Sequence, residues 1–282
     1  MYAFTFERPD SLDNALQLVA GGAKPLAGGQ TLLASMKLRL SAPEQLVDLS
    51  HCKALTGVGK DGDALVIGAM SRHLEVANSA EVKAAYPALS DLASRIGDRQ
   101  VRAMGTLGGS VANNDPAACY PSAVLASGAT VITTKREIAA DDFFQGLFTT
   151  ALEDGELIKA IRFPIPKKAA YEKLRQKASH FPLVGVFVAQ FGDGVRVAVT
   201  GAGNGVFRHA GLEAALSKSF TPEAAATVAI DDSDAVLATR HHLALSSEVE
   251  VDLINMLDQL AEASRHPEQE PPEECLDALS HD

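Results

Sequence analysis

Two glycine-rich segments are the features of this sequence best suited to chemistry. The first is Ala27-Gly28-Gly29-Gln30-Thr31 and the second is Thr106-Leu107-Gly108-Gly109-Ser110. Glycine lets a backbone approach a ligand closely because it has no Cβ, and successive amides in a turn form a concave site for an anion. A following helix adds the positive end of its dipole. We therefore expect a phosphate or diphosphate ligand, held by amides and by the hydroxyls of Thr31, Thr106 and Ser110.

The same glycines are also compatible with two plain tight turns, which is the commoner role of a Gly-Gly pair. Neither segment carries the Gly-Lys-Ser/Thr of a Walker motif or the Gly-x-Gly-x-x-Gly of a dinucleotide-binding fold. The residues by themselves thus predict a phosphate ligand without naming it.

Other groups with possible chemistry are scattered along the chain. Cys52, Cys119 and Cys275 form no Cys-x-x-Cys pair, so the sequence predicts neither a zinc site nor an iron–sulfur cluster of its own. The pairs Asp231-Asp232 and His241-His242 lack the spacing of a metal cage. We recognise no catalytic triad or carboxylate pair, and we expect no metal ligands and no catalytic residues in this chain.

The composition excludes several classes of protein. A hydrophobic fraction of 46% is typical of a globular protein with a real core, and a net charge of −11 argues against nucleic-acid binding. The first residues lack the basic and apolar regions of a signal peptide, and no apolar run is long enough to span a membrane. Because an odd number of cysteines fits a reducing compartment, we expect a cytoplasmic protein.

Strands and helices around the glycine segments must hold them in place. Alternating apolar residues predict a strand over 2–6, and a 3.6-residue period after Asp10 or Ser11 predicts a helix that Gly21-Gly22 ends. The remaining predicted elements, in chain order, are a helix over 32–40, strands over 46–49 and 64–68, helical segments over 74–96, a helix over 121–127, strands over 130–133 and 157–164, and helices over 210–216 and 249–261.

A proline-rich break predicts a domain boundary at Pro164-Ile165-Pro166. Beyond it, Gly192-Asp193-Gly194 is predicted to join two strands, over 183–191 and 195–200, in a hairpin. The predicted units are 1–58 and 59–166 as two cofactor-binding subdomains, 167–264 as a C-terminal domain, and 265–282 as a disordered acidic tail.

The glycine segments and their flanks resemble the flavin motifs of a known family. Leu26 to Leu33 is similar to the first motif, and Gln100 to Pro116 to the second, of the FAD-binding medium subunits of molybdenum hydroxylases, the xanthine dehydrogenase and carbon monoxide dehydrogenase family. The order and separation of the motifs also match, over about residues 1–245. The resemblance implies an α+β protein with a two-subdomain FAD-binding fold of the vanillyl-alcohol-oxidase/PCMH type, followed by a C-terminal α/β domain of the CO dehydrogenase flavoprotein type.

The resemblance also assigns residues that bind FAD. Those within the two segments are Ala27, Gly28, Gly29, Gln30, Thr31, Leu32, Thr106, Leu107, Gly108, Gly109 and Ser110. Those outside the segments are Ile96, Asp115, Cys119, Ile158 and Lys173. For three of them the residue type allows a plainer role: Ile96 in the core, Asp115 as initiator of an Asp-Pro turn, and Lys173 as a solvated lysine of a strand.

The sequence departs from the family at four places. Ser110 stands where many relatives have asparagine, and because serine keeps a hydrogen-bond donor, little is lost. Cys119 stands where relatives usually place an aspartate, and because a thiol is a weak hydrogen-bond partner we expect looser FAD binding. His180 stands where relatives carry a charged residue, and a structural role is its plainer interpretation. Glu248, Glu250 and Asp252 replace an arginine-rich C-terminal helix, which affects any partner contact made there.

In this family, a large subunit oxidises the substrate at a molybdenum cofactor and a small subunit carries [2Fe–2S] clusters. The resemblance therefore implies an oxidoreductase subunit whose FAD passes electrons from those clusters to an external acceptor such as NAD, a quinone or oxygen. The family's usual assembly is a dimer of heterotrimers.

Two alternatives stay open at the level of the sequence. One is a flavin-binding oxidoreductase or assembly protein that works without a molybdenum partner. The other is an enzyme that binds a different diphosphate through Mg²⁺, which predicts acidic clusters beside the glycine segments. The adjacent acidic pairs Asp141-Asp142 and Glu153-Asp154 do not adjoin either segment in sequence.

Overall fold

The computed structural model describes residues 1–228, and this part of the chain contains three sheets of three to five strands, which follow one another, and one two-stranded sheet. The predicted helix over 249–261, the predicted tail and the pairs Asp231-Asp232 and His241-His242 lie outside the described residues. Within residues 1–228, no helix has the length and apolar character needed to cross a membrane.

The first sheet consists of three short parallel strands. Its region contains β1 (Thr5–Glu7), α1 (Leu12–Ala20), β2 (Lys24–Leu26), α2 (Leu32–Lys37) and β3 (Gln45–Asp48). Strand β3 lies between the other two. Helix α1 begins as predicted after Ser11, whose hydroxyl accepts a hydrogen bond from the Asn14 amide. Helix α2 ends before the predicted Leu40, and Arg39 beyond it has a left-handed φ of 61°.

The second region surrounds a five-stranded antiparallel sheet. Its elements are β4 (Val58–Asp61), β5 (Ala64–Gly68), α3 (His73–Asn78), α4 (Ala80–Ala85), α5 (Pro87–Ser94), α6 (Arg99–Met104), α7 (Leu107–Asn113), α8 (Tyr120–Ala126), β6 (Thr130–Thr133), β7 (Glu137–Ala139), α9 (Ala140–Phe143), β8 (Phe144–Gly146), β9 (Thr149–Thr150) and β10 (Ile158–Pro164). The order in the sheet is β4-β5-β10-β6-β7, and β8 and β9 form a separate hairpin.

Two predictions for this region change in detail. The helical pattern over 74–96 is three helices, because the Ser79 side chain caps α4 and Pro87 is the first residue of α5. The second glycine segment is largely helical, since Gly108 and Gly109 lie in the first turn of α7. Thr106 caps this helix by accepting a hydrogen bond from the Gly109 amide.

The third sheet is an antiparallel meander. Its region contains β11 (Lys168–Arg175), β12 (Pro182–Gln190), β13 (Val195–Thr200), β14 (Phe207–Arg208), α10 (Ala210–Lys218) and α11 (Pro222–Ala226). The predicted hairpin is present as β12 and β13. Helices α10 and α11 cover one face, against a cluster of β12 and β13 valines.

The second and third sheets share one hydrophobic core. Helix α8 is buried on all sides, because every residue in it is buried, and it contacts β12 and β13. Phe187 of β12 and Tyr86 before α5 belong to the same cluster, with ring centroids 6.1 Å apart. The chain passes from the second sheet to the third at Pro164-Ile165-Pro166, the predicted boundary. The residue bounds of the three predicted units stay a prediction, because the two sheets share a core.

Candidate functional site

The two glycine segments meet in one cleft of about 620 Å³. Eleven of the residues predicted to bind the cofactor line it: Ala27, Gly28, Gly29, Gln30, Thr31, Leu32, Thr106, Gly108, Gly109, Ser110 and Ile158. They come from the turn after β2, from the N-terminal end of α7 and from the start of β10. The fold thus brings three distant parts of the sequence to one site.

The first glycine segment offers free amides. Among the described residues, no acceptor lies within hydrogen-bonding distance of the backbone N–H groups of Gly28, Gly29, Gln30 and Thr31. Gly29 has a left-handed φ of 70°, a conformation that glycine adopts without strain. This run of unpaired donors in a turn is suited to an anion such as a diphosphate.

The second segment differs, because the protein already uses its amides. Leu107 N donates to Ser71 O at 3.0 Å and Gly108 N donates to Ala69 O at 2.8 Å, while the amides of Gly109 and Ser110 donate to Thr106. Within the described residues, a run of four free amides is therefore found in the first segment, whereas four of the five amides in the second segment donate to the protein. The hydrogen bonds of the second segment hold it in position, and its Thr106 and Ser110, which carry hydroxyl groups, line the cleft.

The glycines also serve a purpose that their sequence does not reveal, which is close contact within the protein. A Cβ on Gly28 would lie 2.1 Å from Met104 O, and one on Gly108 would lie 2.5 Å from Ala69 Cβ. At Gly109 an added Cβ would lie 2.8 Å from Thr106 Oγ1 and 3.3 Å from Ala27 Cβ. These glycines allow the two segments to touch each other and Ala69, the residue that follows β5, in addition to any approach of a ligand.

His73, which the sequence analysis did not identify, lies under the second segment and lines the cleft. Its amide donates to Gly105 O at 2.9 Å, and a Cβ on Gly105 would lie 2.5 Å from His73 Nε2. Burial, and secondarily the charge of Arg102, lowers the pKa of His73 to about 4, so the ring is neutral near pH 7. Its Nδ1 is buried without a partner in the described part of the chain, as is the hydroxyl of Tyr120, whose ring packs against it.

Lys173 lies in a separate polar cluster beside a second cavity of about 790 Å³. Its Nζ donates to Arg95 O at 2.8 Å and to His180 O at 2.7 Å, and it is 3.5 Å from Cys119 Sγ. Burial raises the pKa of the Cys119 thiol even though Lys173 opposes the shift. Lys173 is therefore held by the protein, in contrast to the plainer role of a solvated lysine.

The remaining predicted residues do not line the cleft of the glycine segments. Leu107 is fully buried beneath it, and Ile96 is partly buried against the main core. Asp115 forms an Asp-Pro turn, with Oδ1 accepting from the Ala117 amide at 2.9 Å. Cys119 lies below Lys173 in the interior. Direct contact of these residues with a cofactor stays a prediction.

The comparison with known sequences identifies this pattern. A family described as the FAD binding domain in molybdopterin dehydrogenase matches residues 2–166. The carbon monoxide dehydrogenase medium chain of Afipia carboxidovorans is 39% identical over 189 residues, which cover 64% of this chain and 66% of that protein. The corresponding chain of Hydrogenophaga pseudoflava is 35% identical over 237 residues, which cover 78% of this chain and 83% of that protein.

Solved structures show the same fold. Quinoline 2-oxidoreductase from Pseudomonas putida 86 superposes with a TM-score of 0.81 at 26% identity, covering 94% of this chain and 99% of that chain. Together with the family match, this confirms the predicted α+β architecture of a two-subdomain FAD-binding fold followed by a C-terminal flavoprotein domain. It also confirms FAD as the cofactor of this chain.

Replacing Gly28 with alanine should disrupt the contact between the segments. The added methyl would overlap Met104 O, and overpacking costs on the order of 1–3 kcal/mol or more, so we expect the Kd for FAD to rise at least about ten-fold. Fluorescence titration of the FAD-free chain measures this. Gly59→Ala is the matched control, because its added Cβ meets nothing within 4 Å. Equal affinities of both variants would contradict the structural role of Gly28.

His73 should make folding sensitive to acid. Its folded pKa of about 4 lies below the unfolded value of 6.5, so the unfolded chain binds the extra proton and stability is lost as pH falls through this window. As the pH falls from 6.5 to about 4, the free energy of unfolding of the wild type should decrease by up to about 3 kcal/mol more than that of His73→Gln. Denaturant unfolding at both pH values tests this, and parallel losses in the two proteins would refute it.

Proposed function

The chain belongs to the FAD-binding family of molybdopterin dehydrogenases and is an oxidoreductase subunit; on this premise we propose that it carries electrons between partner subunits and an external acceptor. The donor is a set of [2Fe–2S] clusters on a small partner subunit, and the substrate is oxidised on a large partner subunit that holds the molybdenum cofactor. The acceptor is NAD, a quinone or oxygen.

The observation that carries this proposal is the row of free amides from Gly28 to Thr31, opposite the hydroxyls of Thr106 and Ser110, in one cleft. Uncharged donors of this kind suit the diphosphate of a permanently held dinucleotide. When bound, FAD accepts and releases electrons singly or in pairs, and the protein supplies binding, orientation and electrostatics. We propose direct contacts with FAD for the eleven predicted residues that line the cleft.

Of the five other predicted residues, all but Leu107 act further along the cofactor in this proposal. Lys173 is an ammonium group whose described partners are two carbonyl oxygens and a thiol, with no carboxylate among them. Such a cation favours negative charge on a reduced flavin ring. Cys119 lies beside the Lys173 ammonium group, and Ile96 follows Arg95, whose carbonyl oxygen accepts from Lys173 Nζ. We propose that Asp115 acts through its turn before α8, while Leu107 supports the second glycine segment from below.

The names of similar proteins support the proposal that this chain works with partner subunits. Two relatives are medium chains of carbon monoxide dehydrogenase, and one solved relative is described as a Cu,Mo-CO dehydrogenase. We propose by analogy a complex with a large and a small chain, arranged as a dimer of heterotrimers in the cytoplasm. The odd number of cysteines supports this location.

The Mg²⁺-dependent alternative receives less support. Asp141 is engaged by Arg196 at 2.8 Å and by Arg208 at 3.4 Å. Glu153 and Asp154 do line the cleft, although they are distant in sequence, but Glu153 pairs with Lys135 at 3.1 Å. Within residues 1–228, no three His, Cys, Asp or Glu side chains converge as metal ligands would.

Affinity purification of the tagged full-length chain from its own cells tests the main proposal. We expect larger and smaller chains carrying molybdenum and iron to co-purify, and substrate added without oxygen to bleach the flavin absorption. A complex stripped of FAD should still reduce its iron–sulfur centres but no longer reduce the acceptor. A chain that purifies alone, with FAD reduced directly by a soluble donor, would instead support the stand-alone oxidoreductase.

Cys119→Asp tests the proposal that the thiol weakens FAD binding. Relatives usually place an aspartate at this position, and a carboxylate is a stronger hydrogen-bond acceptor than a thiol. We therefore expect the Kd for FAD to fall about five-fold, the effect of one added hydrogen bond to the cofactor. Fluorescence titration compares it with wild type and with Cys119→Ser, which should change the Kd little. An unchanged or higher Kd for Cys119→Asp would contradict the proposal.

A further inference from the structure

The turn between β8 and β9 holds an aromatic residue in a strained backbone conformation. Phe148 has a left-handed φ of 52°, which is uncommon for a bulky side chain and costs on the order of 1–3 kcal/mol. The side chain is also 54% exposed, so it gains little burial in return. Strain of this kind persists only where the surrounding structure imposes it.

Asn114 imposes this conformation from the end of α7. Its side chain is buried, and Nδ2 donates to Gly146 O at 2.8 Å and to Thr149 O at 2.7 Å, on either side of Phe148. The Phe148 amide in turn donates to Asn114 O at 3.3 Å. Because α7 starts at the second glycine segment, the same helix fixes that segment at one end and the aromatic turn at the other.

Phe148 lies on the wall of the cleft that we assign to FAD. It lines the cavity that contains both glycine segments, together with the apolar side chains of Leu152, Leu157 and Ile158. Leu147, its neighbour, is equally exposed at 55% but does not line this cavity. An exposed ring next to apolar side chains in a binding cleft is suited to stacking against a planar group of the ligand.

FAD offers two planar groups, and charge distinguishes between them. Three carboxylates line the same cleft, together with one ammonium group, that of Lys24. Glu153 and Glu156 pair with Lys135 and Arg136, but Asp154 has no ionic partner among the described residues, so its carboxylate would disfavour a flavin ring that gains negative charge on reduction. Adenine stays neutral, and its amino group can donate to a carboxylate. The cationic cluster around Lys173 lies beside the other cavity. We propose that Phe148 stacks on the adenine ring of FAD and selects the dinucleotide over the mononucleotide.

This proposal rests on the assignment of the cleft to FAD, and binding of nucleotide fragments to the full-length, FAD-free chain tests it. Phe148→Ala should raise the Kd for FAD and for ADP about five-fold or more, as expected for loss of one base–aromatic stack. The Kd for FMN should not change. Phe148→Tyr should restore the affinity for FAD and ADP, and Leu147→Ala should leave all three values unchanged.

Phe148→Gly separates binding from folding. Glycine adopts a left-handed φ without strain, so this variant should have a Tm no lower than that of the wild type and still lose affinity for FAD and ADP. Weakened FMN binding with unchanged ADP binding would place the flavin against Phe148 and overturn the proposal, as would unchanged affinity for FAD. These measurements need no partner subunit, so their failure is distinct from failure of the electron-transfer proposal.

Discussion

The site depends on a backbone-to-backbone contact that only glycine permits. Gly28 sits so close to the Met104–Gly105 peptide that an added methyl would overlap Met104 O, and Gly109 is nearly in contact with Ala27. This contact joins the turn after β2 of the first sheet to the end of helix α6, beside the second sheet. Any larger side chain would separate the two segments, and the cleft between them would widen or be lost.

The two segments that resemble each other in sequence have different tasks. The second is anchored, because its amides bind Ala69, Ser71 and Thr106 and because a neutral, buried His73 packs beneath Gly105. The first keeps its amides available. The anchored second segment thus supports the first segment, whose amides are unpaired. A permanently bound cofactor benefits from such preorganisation, because little of the protein has to become ordered on binding.

The third sheet reaches the site through the shared core. Helix α8 packs against β12 and β13, and α5 packs against β11. Just beyond the end of α5, Arg95 Nη1 donates to both carboxylate oxygens of Glu172 at 2.8 and 2.9 Å. Lys173, next to Glu172, is thereby directed at Cys119 and two carbonyl oxygens. The departure from the family at Cys119 therefore changes the direct surroundings of this lysine and not a surface position.

The residues by themselves predicted a phosphate ligand and most of the helices and strands. The resemblance of the two glycine segments to a known family added the identity of the cofactor. Periodicity and capping residues located α1, β6, β10 and the β12–β13 hairpin closely, because these signals are local. The tertiary structure decided which amides are free, since the acceptors for Leu107 and Gly108 are carbonyls about forty residues earlier in the chain. It also decided that His73 and Phe148 line the cleft. No local pattern marks these two, because their roles arise only from contacts between distant segments.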